Sequence, residues 1–249
     1  MEVAPDHLVL TMAKEGGVVL LARDERDEPI GFAYGFIGLT EDRRFKLASH
    51  QVGVLPTYQD RGLGYQLKLA QRQATLALDL DLITWTFDPL QGRNARFNMR
   101  KLGAVCKTYL RDLYGGMRDQ LNQGLTSDRL KVEWWLATDH VAQRLTHPAR
   151  AEVWPPDPVC PLLNQATLLE NGVFVPPDTF DVPDTDFCLV EIPADIQQLK
   201  TETLDLAIKW RLHTRQVFET LFDRGYTAID LLRRQGRNYY LLQKDWQPV

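Results

Sequence analysis

His50-Gln-Val-Gly-Val-Leu-Pro-Thr-Tyr-Gln59-Asp-Arg-Gly62-Leu-Gly64 is the stretch around which the chain is organised. It opens as an apolar strand, ends that strand at Pro56, crosses a short polar loop with two glycines, and runs into a helix from Tyr65. In the helix, Leu63, Leu67, Ala70, Ala74, Ala77 and Leu78 keep to one face at helical spacing, with Lys68, Gln71, Arg72 and Thr75 expected on the other. A glycine-bearing turn between strand and helix aims backbone N–H groups that lack intrahelical partners along the helix axis. The macrodipole favours negative charge at the same place, so the loop is expected to hold an anion. A P-loop would require Lys-Ser/Thr after the last glycine, where Tyr65 stands. A dinucleotide fingerprint would require a third glycine where Leu67 stands. An ordinary strand-to-helix turn, with glycine chosen for positive φ, stays open.

Outward from the loop, the composition narrows the classes. The 249 residues suit one large domain or two small ones, and 44% hydrophobic with 25% charged residues is a soluble globular composition. A net charge of −4 argues against nucleic-acid and anionic-membrane partners. No long apolar run and no secretory leader are visible, and Cys106, Cys160 and Cys188 lack metal spacing. The expectations are a reduced, cytoplasmic location and no metal.

N-terminal to the loop, residues 6–15 suit a short helix, and 17–23 and 30–38 suit a hairpin about the charged turn 24–29. Residues 46–54 form the strand that feeds the loop. Beyond the helix, Leu82–Phe87 reads as a buried strand closing a right-handed βαβ unit. A second helix is expected at about Arg93–Leu102, stopped by Gly103, followed by strands at 104–113 and 129–137.

Gln59-Asp-Arg-Gly62-Leu-Gly64, with the preceding Gly-Val-Leu-Pro-x-Tyr, resembles the pyrophosphate-binding segment of the GNAT (Gcn5-related N-acetyltransferase) superfamily. Asn94-Ala95 and Lys101-Leu102-Gly103 resemble its second acyl-CoA segment. The resemblance covers about residues 6–137 and implies a mixed α/β fold with a twisted mixed sheet flanked by helices. It further implies that Gln59, Asp60, Arg61, Gly62, Leu63 and Gly64 hold the pyrophosphate of coenzyme A. Backbone of Val52 and Val54 would pair with the pantetheine arm, and Asn94 would touch the pantetheine of the donor. Arg93, Arg96 and Arg100 share the expected helix face and could reach nucleotide phosphates, although a solvated basic face is the better reading for at least two of them. Two departures stand out. The family's first strand has no evident counterpart: either it is absent, which would leave 18–22 as a sheet edge, or another segment or subunit supplies it; and Met99 occupies the position where many members carry a proton-donating Tyr.

The texture changes after residue 137. Eight of the fourteen prolines fall between Pro148 and Pro183. Residues 138–186 are therefore expected to be an ordered linker wrapping the surface, with a short β ribbon within 166–175. Residues 187–249 read as strand, helix, Gly225, strand, strand, the helix capped by Asp195 and running to about Arg224. That order matches residues 82–136, so the tail is either a degenerate half-repeat or a coincidental βαββ unit. In both cases it is expected to be structural, shaping the acceptor site or a homodimer contact. The expected partition is thus 1–137 as an acyl-CoA-binding domain, 138–186 as linker and 187–249 as a C-terminal βαββ subdomain.

The chemistry implied is direct acyl transfer from acetyl-CoA, or another acyl-CoA such as succinyl-CoA, to the amine of a small molecule such as an amino acid. No Cys-His or Ser-His pairing suggests a covalent intermediate. An alkyl amine is mostly protonated at neutral pH, so a base near pKa 7 helps. His50 is placed for that role, with a core histidine bonded to backbone as the alternative. Asn98 is a candidate contact to donor or acceptor. Asp88 is expected to cap a turn or bind a cationic acceptor, and His213 to be structural. An acyl carboxylate would need a cation, for which Arg93 and Arg111 are candidates. The alternative function is a non-catalytic CoA- or acyl-CoA-binding sensor or scaffold.

Overall fold

Alternating bulky and small residues let Pro29–Leu39 pair with a strand on each side, and this hairpin core begins the sheet. The computed structural model describes residues 4–115, 124–147, 153–155, 158–170 and 172–249. Pro148, Pro156 and the middle of the 114–128 loop, which figured in the sequence reading, lie outside the described residues. The fold is mixed α/β, with a large mixed sheet flanked by helices. Compactness divides the chain elsewhere than at residue 137, into Met1–Trp85 with Glu133–Ala137 and Thr86–Val132 with Thr138–Val249. No helix among the described residues is long and apolar enough to cross a membrane.

The first unit holds α1 (Asp6–Lys14), β1 (Val18–Arg23), β2 (Pro29–Leu39), β3 (Phe45–Val54), a 3-10 turn at Pro56–Tyr58 and α2 (Leu63–Leu76). It also holds most of β4 (Leu82–Phe87) and the end of β6 (Arg129–Trp135). β1 pairs antiparallel with β2, β2 antiparallel with β3, and β3 parallel with β4. β1 stands at the edge, with no strand before it among the described residues. Leu47, Leu67, Leu82, Ile83 and Trp134 form the core, each fully buried large side chain contributing about 1.5–3 kcal/mol.

One expectation about α2 is corrected. Its buried residues are Leu67, Lys68, Gln71 and Thr75, so three of the four residues placed on the face opposite the apolar one are buried with Leu67. They tolerate burial because each has a local partner: Lys68 and Ser49 bond to Gln71, and Thr75 Oγ1 donates to the Gln71 carbonyl.

The second unit continues through α3 (Gly92–Ala95), β5 (Val105–Leu110), α4 (Asp139–Thr146), a two-residue ribbon of β7 (Thr167–Leu168) with β8 (Phe174–Val175), and β9 (Phe187–Ile192). It closes with α5 (Ile196–Glu202), α6 (Leu204–Asp223), β10 (Tyr226–Arg234) and β11 (Arg237–Lys244). Its strand order is β6-β5-β10-β11-β9, and β10 pairs antiparallel with β5. The ribbon falls where the sequence placed it. The linker also carries α4, which the sequence reading lacked; Thr138 caps it by accepting from the Val141 N–H. The expected single tail helix is broken at Thr203, whose φ of −152° is extended.

The structural assignment of His213 holds. It lies on α6 between Phe180 and Trp210, ring centroids 5.8 Å and 6.4 Å away. Burial first, then the charge on Lys209, pushes its imidazole down from 6.5 to about 4, against an opposing pull from Asp178. The neutral ring therefore contributes stability that is complete above pH 6.5 and is lost as pH falls toward 4, because only the unfolded chain takes up the proton in that window. Between pH 7 and 4.5 the urea midpoint should fall, and His213→Leu should flatten that fall by about 1–2 kcal/mol. An unchanged pH slope in the variant would remove His213 from the acid response.

Candidate functional site

The sheet opens at β3. Its parallel pairing with β4 comprises Leu47↔Ile83 and Ala48↔Thr84 and goes no further. Just beyond that point β3 is bulged: Tyr34 pairs with Gln51 and Gly35 with Ser49, leaving His50 as the extra residue. A bulge bends its strand and ends regular pairing, and here it coincides with the parting of β3 from β4. From Ser49 onward β3 therefore has an edge not paired to β4, along which Val52 is 41% exposed.

The strand leads straight into the loop. Tyr58 donates its hydroxyl to Asp24 at 2.9 Å, tying the 3-10 turn to the β1–β2 turn. The Asp24 carboxyl is held below its usual range by the Glu28 N–H and then by that hydroxyl. Arg61 stacks its guanidinium over the Tyr58 ring at 5.4 Å. Gln59 folds back, its Nε2 donating to the Val54 carbonyl at 3.1 Å. Gly62 caps α2 at φ +81°, a left-handed conformation that favours glycine. Among the described residues the N–H groups of Gly62, Leu63 and Gly64 have no acceptor. A Cβ at Gly62 or Gly64 would meet nothing within 4 Å. Among the described residues Gly64 thus has neither a backbone conformation nor a neighbour that calls for glycine. The space over the bare N–H groups is open, as a site for an incoming anion requires.

His50 is exposed, its ring 5.5 Å from that of Tyr34 and 6.3 Å from that of Phe36. It is not the buried, backbone-bonded histidine that the sequence offered as an alternative. On the other side of the bulge is a cluster the sequence reading missed. Lys68, 3% exposed, donates to Ser49 Oγ at 3.1 Å and to Gln71 Oε1 at 2.8 Å. Ser49 Oγ donates to the same Gln71 oxygen at 2.9 Å. The ammonium sits 3.7 Å from the Trp85 ring centroid and 5.7 Å from that of Trp134. Burial pushes Lys68 down to about 7. The sequence signal was available in the 68, 71, 75 spacing, which is itself a helical stripe beside Leu67.

The remaining candidates lie in the second unit. Arg93 and Asn94 are exposed on α3, a single turn. The helix expected at 93–102 continues as a π turn at Arg96–Lys101, which buries Asn98, Met99 and Arg100. The Asn98 side-chain amide nitrogen has no hydrogen-bond partner among the described residues. Arg100 does not face solvent phosphates: its Nη1 donates to Asp230 at 2.6 Å in a buried pair. Asp88 does cap its turn, accepting from the Leu90 N–H, and also accepts from Arg211 at 2.7 Å, so it is not open to a cationic acceptor. Arg111 is held bidentate by Glu219 at 2.5 and 2.6 Å. Cys106, Cys160 and Cys188 are buried and in no disulfide, and burial raises Cys160 to about 11 and Cys188 to about 12. No group of three potential metal ligands occurs among the described residues.

No family model and no curated protein matches the chain. Solved structures do. Naa20 of Chaetomium thermophilum, in complex with a bisubstrate analogue, is 15% identical at a TM-score of 0.45, covering 61% of this chain and 80% of its own. A GNAT family acetyltransferase from Elizabethkingia anophelis with acetyl-CoA bound is 14% identical at 0.42, covering 53% and 83%. A spermidine N-acetyltransferase chimera from Vibrio cholerae is also 14% identical at 0.42, covering 53% and 76%. The fold resembles that of GNAT acetyltransferases.

Proposed function

We propose that this chain is an acyl-CoA-dependent N-acyltransferase that passes its acyl group directly to the amine of a small molecule. The observation that carries the proposal is the free edge of β3 beyond Ala48, which leads without interruption into three unpartnered N–H groups at the start of α2. A phosphorylated, extended donor fits that combination. Its pyrophosphate takes the N–H groups of Gly62, Leu63 and Gly64, with charge from Arg61. Its pantetheine arm lies along β3 as an added strand, contacting Val52 rather than the Val54 carbonyl, which Gln59 already occupies.

Placed there, the thioester lies at the bulge. The amine nitrogen attacks the thioester carbon, the C–S bond breaks as the C–N bond forms, and the thiolate leaves. A backbone N–H of the free edge stabilises the developing oxyanion. His50, exposed on the bulge, takes the proton that the amine must shed, a contribution of about 10²–10⁴-fold. Asn94, which the family resemblance assigns to the donor, and the further candidates Arg93 and Asn98 lie in the second unit; the proposal rests on the first. The 187–249 segment is assigned a supporting role.

The test is calorimetric titration with CoA and acetyl-CoA, followed by a free-thiol assay over a panel of amines and amino acids. Micromolar binding and amine-dependent thiol release are the expected results. Binding without release from any amine would make the chain a CoA-binding module, and no binding would end both assignments.

A further inference from the structure

The cluster beneath the bulge is rich in donors and has no anion. Lys68 approaches Ser49, Gln71 and the rings of Trp85 and Trp134, and no carboxylate is among its partners. Indole faces attract an ammonium but do not neutralise it. The side-chain amide nitrogen of Gln71, fully buried, has no hydrogen-bond partner. Flipping that amide would not help, because its oxygen already accepts from both Lys68 and Ser49. Charging Lys68 in this setting is costly, which is why burial holds it near 7, and the orphaned buried N–H is costly as it stands. One external carboxylate would answer both.

Position says where that carboxylate would come from. Ser49 is the first residue of β3 past the last β3–β4 pair, and Trp85 is the first of β4. The Lys68 ammonium is 3.1 Å from one side chain and 3.7 Å from the ring centroid of the other. It therefore lies at the point where the two strands separate, behind the place assigned above to the thioester.

We propose that Lys68, with Ser49 and Gln71, binds a carboxylate at the far end of the acyl chain, so that the donor is the CoA thioester of a dicarboxylic acid. This rests on the donor site proposed above and narrows its substrate class. Arg111, the exposed alternative, is already satisfied by Glu219. In the free protein burial holds Lys68 near 7, and a bound carboxylate favours its charged form. Binding a dicarboxylic donor at pH 8 therefore takes up a proton at Lys68, and binding a neutral acyl chain does not.

The experiment is calorimetric titration of the full chain with CoA, acetyl-CoA and succinyl-CoA at pH 8, in two buffers of different ionisation enthalpy, beside Lys68→Met. Wild type should prefer succinyl-CoA to acetyl-CoA by about tenfold or more, with net proton uptake only for succinyl-CoA. Lys68→Met should lose the preference and the uptake while keeping its affinity for CoA. Equal affinity of the wild type for the two thioesters overturns the proposal. So does a preference that survives in the variant, which would place the carboxylate elsewhere. Those results leave the donor site standing, whereas failure to bind CoA itself removes both. Should Lys68→Met not fold, the wild-type preference and proton uptake decide alone.

Discussion

Asp230→Ala is expected to lower the unfolding free energy by about 3–5 kcal/mol, the range for a buried ion pair that loses one partner. Asp230 lies on β10 and is 4% exposed; its Oδ2 is 2.6 Å from Arg100 Nη1 and 2.9 Å from Arg144 Nη1. Its Oδ1 accepts from the Leu231 N–H at 2.8 Å. Both guanidiniums are themselves buried. Alanine would remove the buried carboxylate that both guanidiniums share, so the attraction that offsets their mutual repulsion is lost. The signs of the companion changes follow. Arg144→Met removes one of two cations on this carboxylate and keeps the Arg100–Asp230 pair, so it should cost less than Asp230→Ala. Urea denaturation of the three proteins checks this. Added salt should barely alter the ranking, since buried pairs are little screened. A loss below about 1 kcal/mol in Asp230→Ala would mean that the triad is dispensable.

Gly64→Trp is expected to weaken CoA binding by about 100-fold or more, with little change in melting temperature. Charge-assisted bonds to a pyrophosphate are worth about 1.5–3 kcal/mol each, and losing even two of the three N–H contacts reaches that factor. The position separates binding from folding. A Cβ there meets no atom within 4 Å, and the residue lies in the first turn of α2 at an ordinary φ. Gly62 would be the poorer choice, because its φ of +81° would strain any other residue and confuse the two readouts. Unchanged affinity in a folded Gly64→Trp protein would move the anion away from this loop.

The loop, α2 and the strands around them were legible because their signals are local. Glycine marks the turn, proline ends the strand, and a 3.6-residue period marks the helix. β1 is an edge strand among the described residues. What the sequence concealed depends on distant partners. Arg100 looks like a surface cation until Asp230, 130 residues on, is brought beside it. Lys68 looks solvated until Ser49, Trp85 and Trp134 enclose it. Periodicity gives the spacing of a face but not which face the sheet covers, and a polar stripe that bonds to itself can be the covered one. The π turn at Arg96–Lys101 falls in the same class: one extra residue per turn rotates Asn98, Met99 and Arg100 inward, and no residue type announces it.

β10 lies along the edge of β5 as part of the same polypeptide. A strand tethered in this way meets its neighbour at an effective concentration of order millimolar, fixed by the connecting chain rather than by the number of molecules present. That edge is therefore saturated at every dilution. An edge completed by a second molecule would empty and fill with expression level; this one is insensitive to dosage.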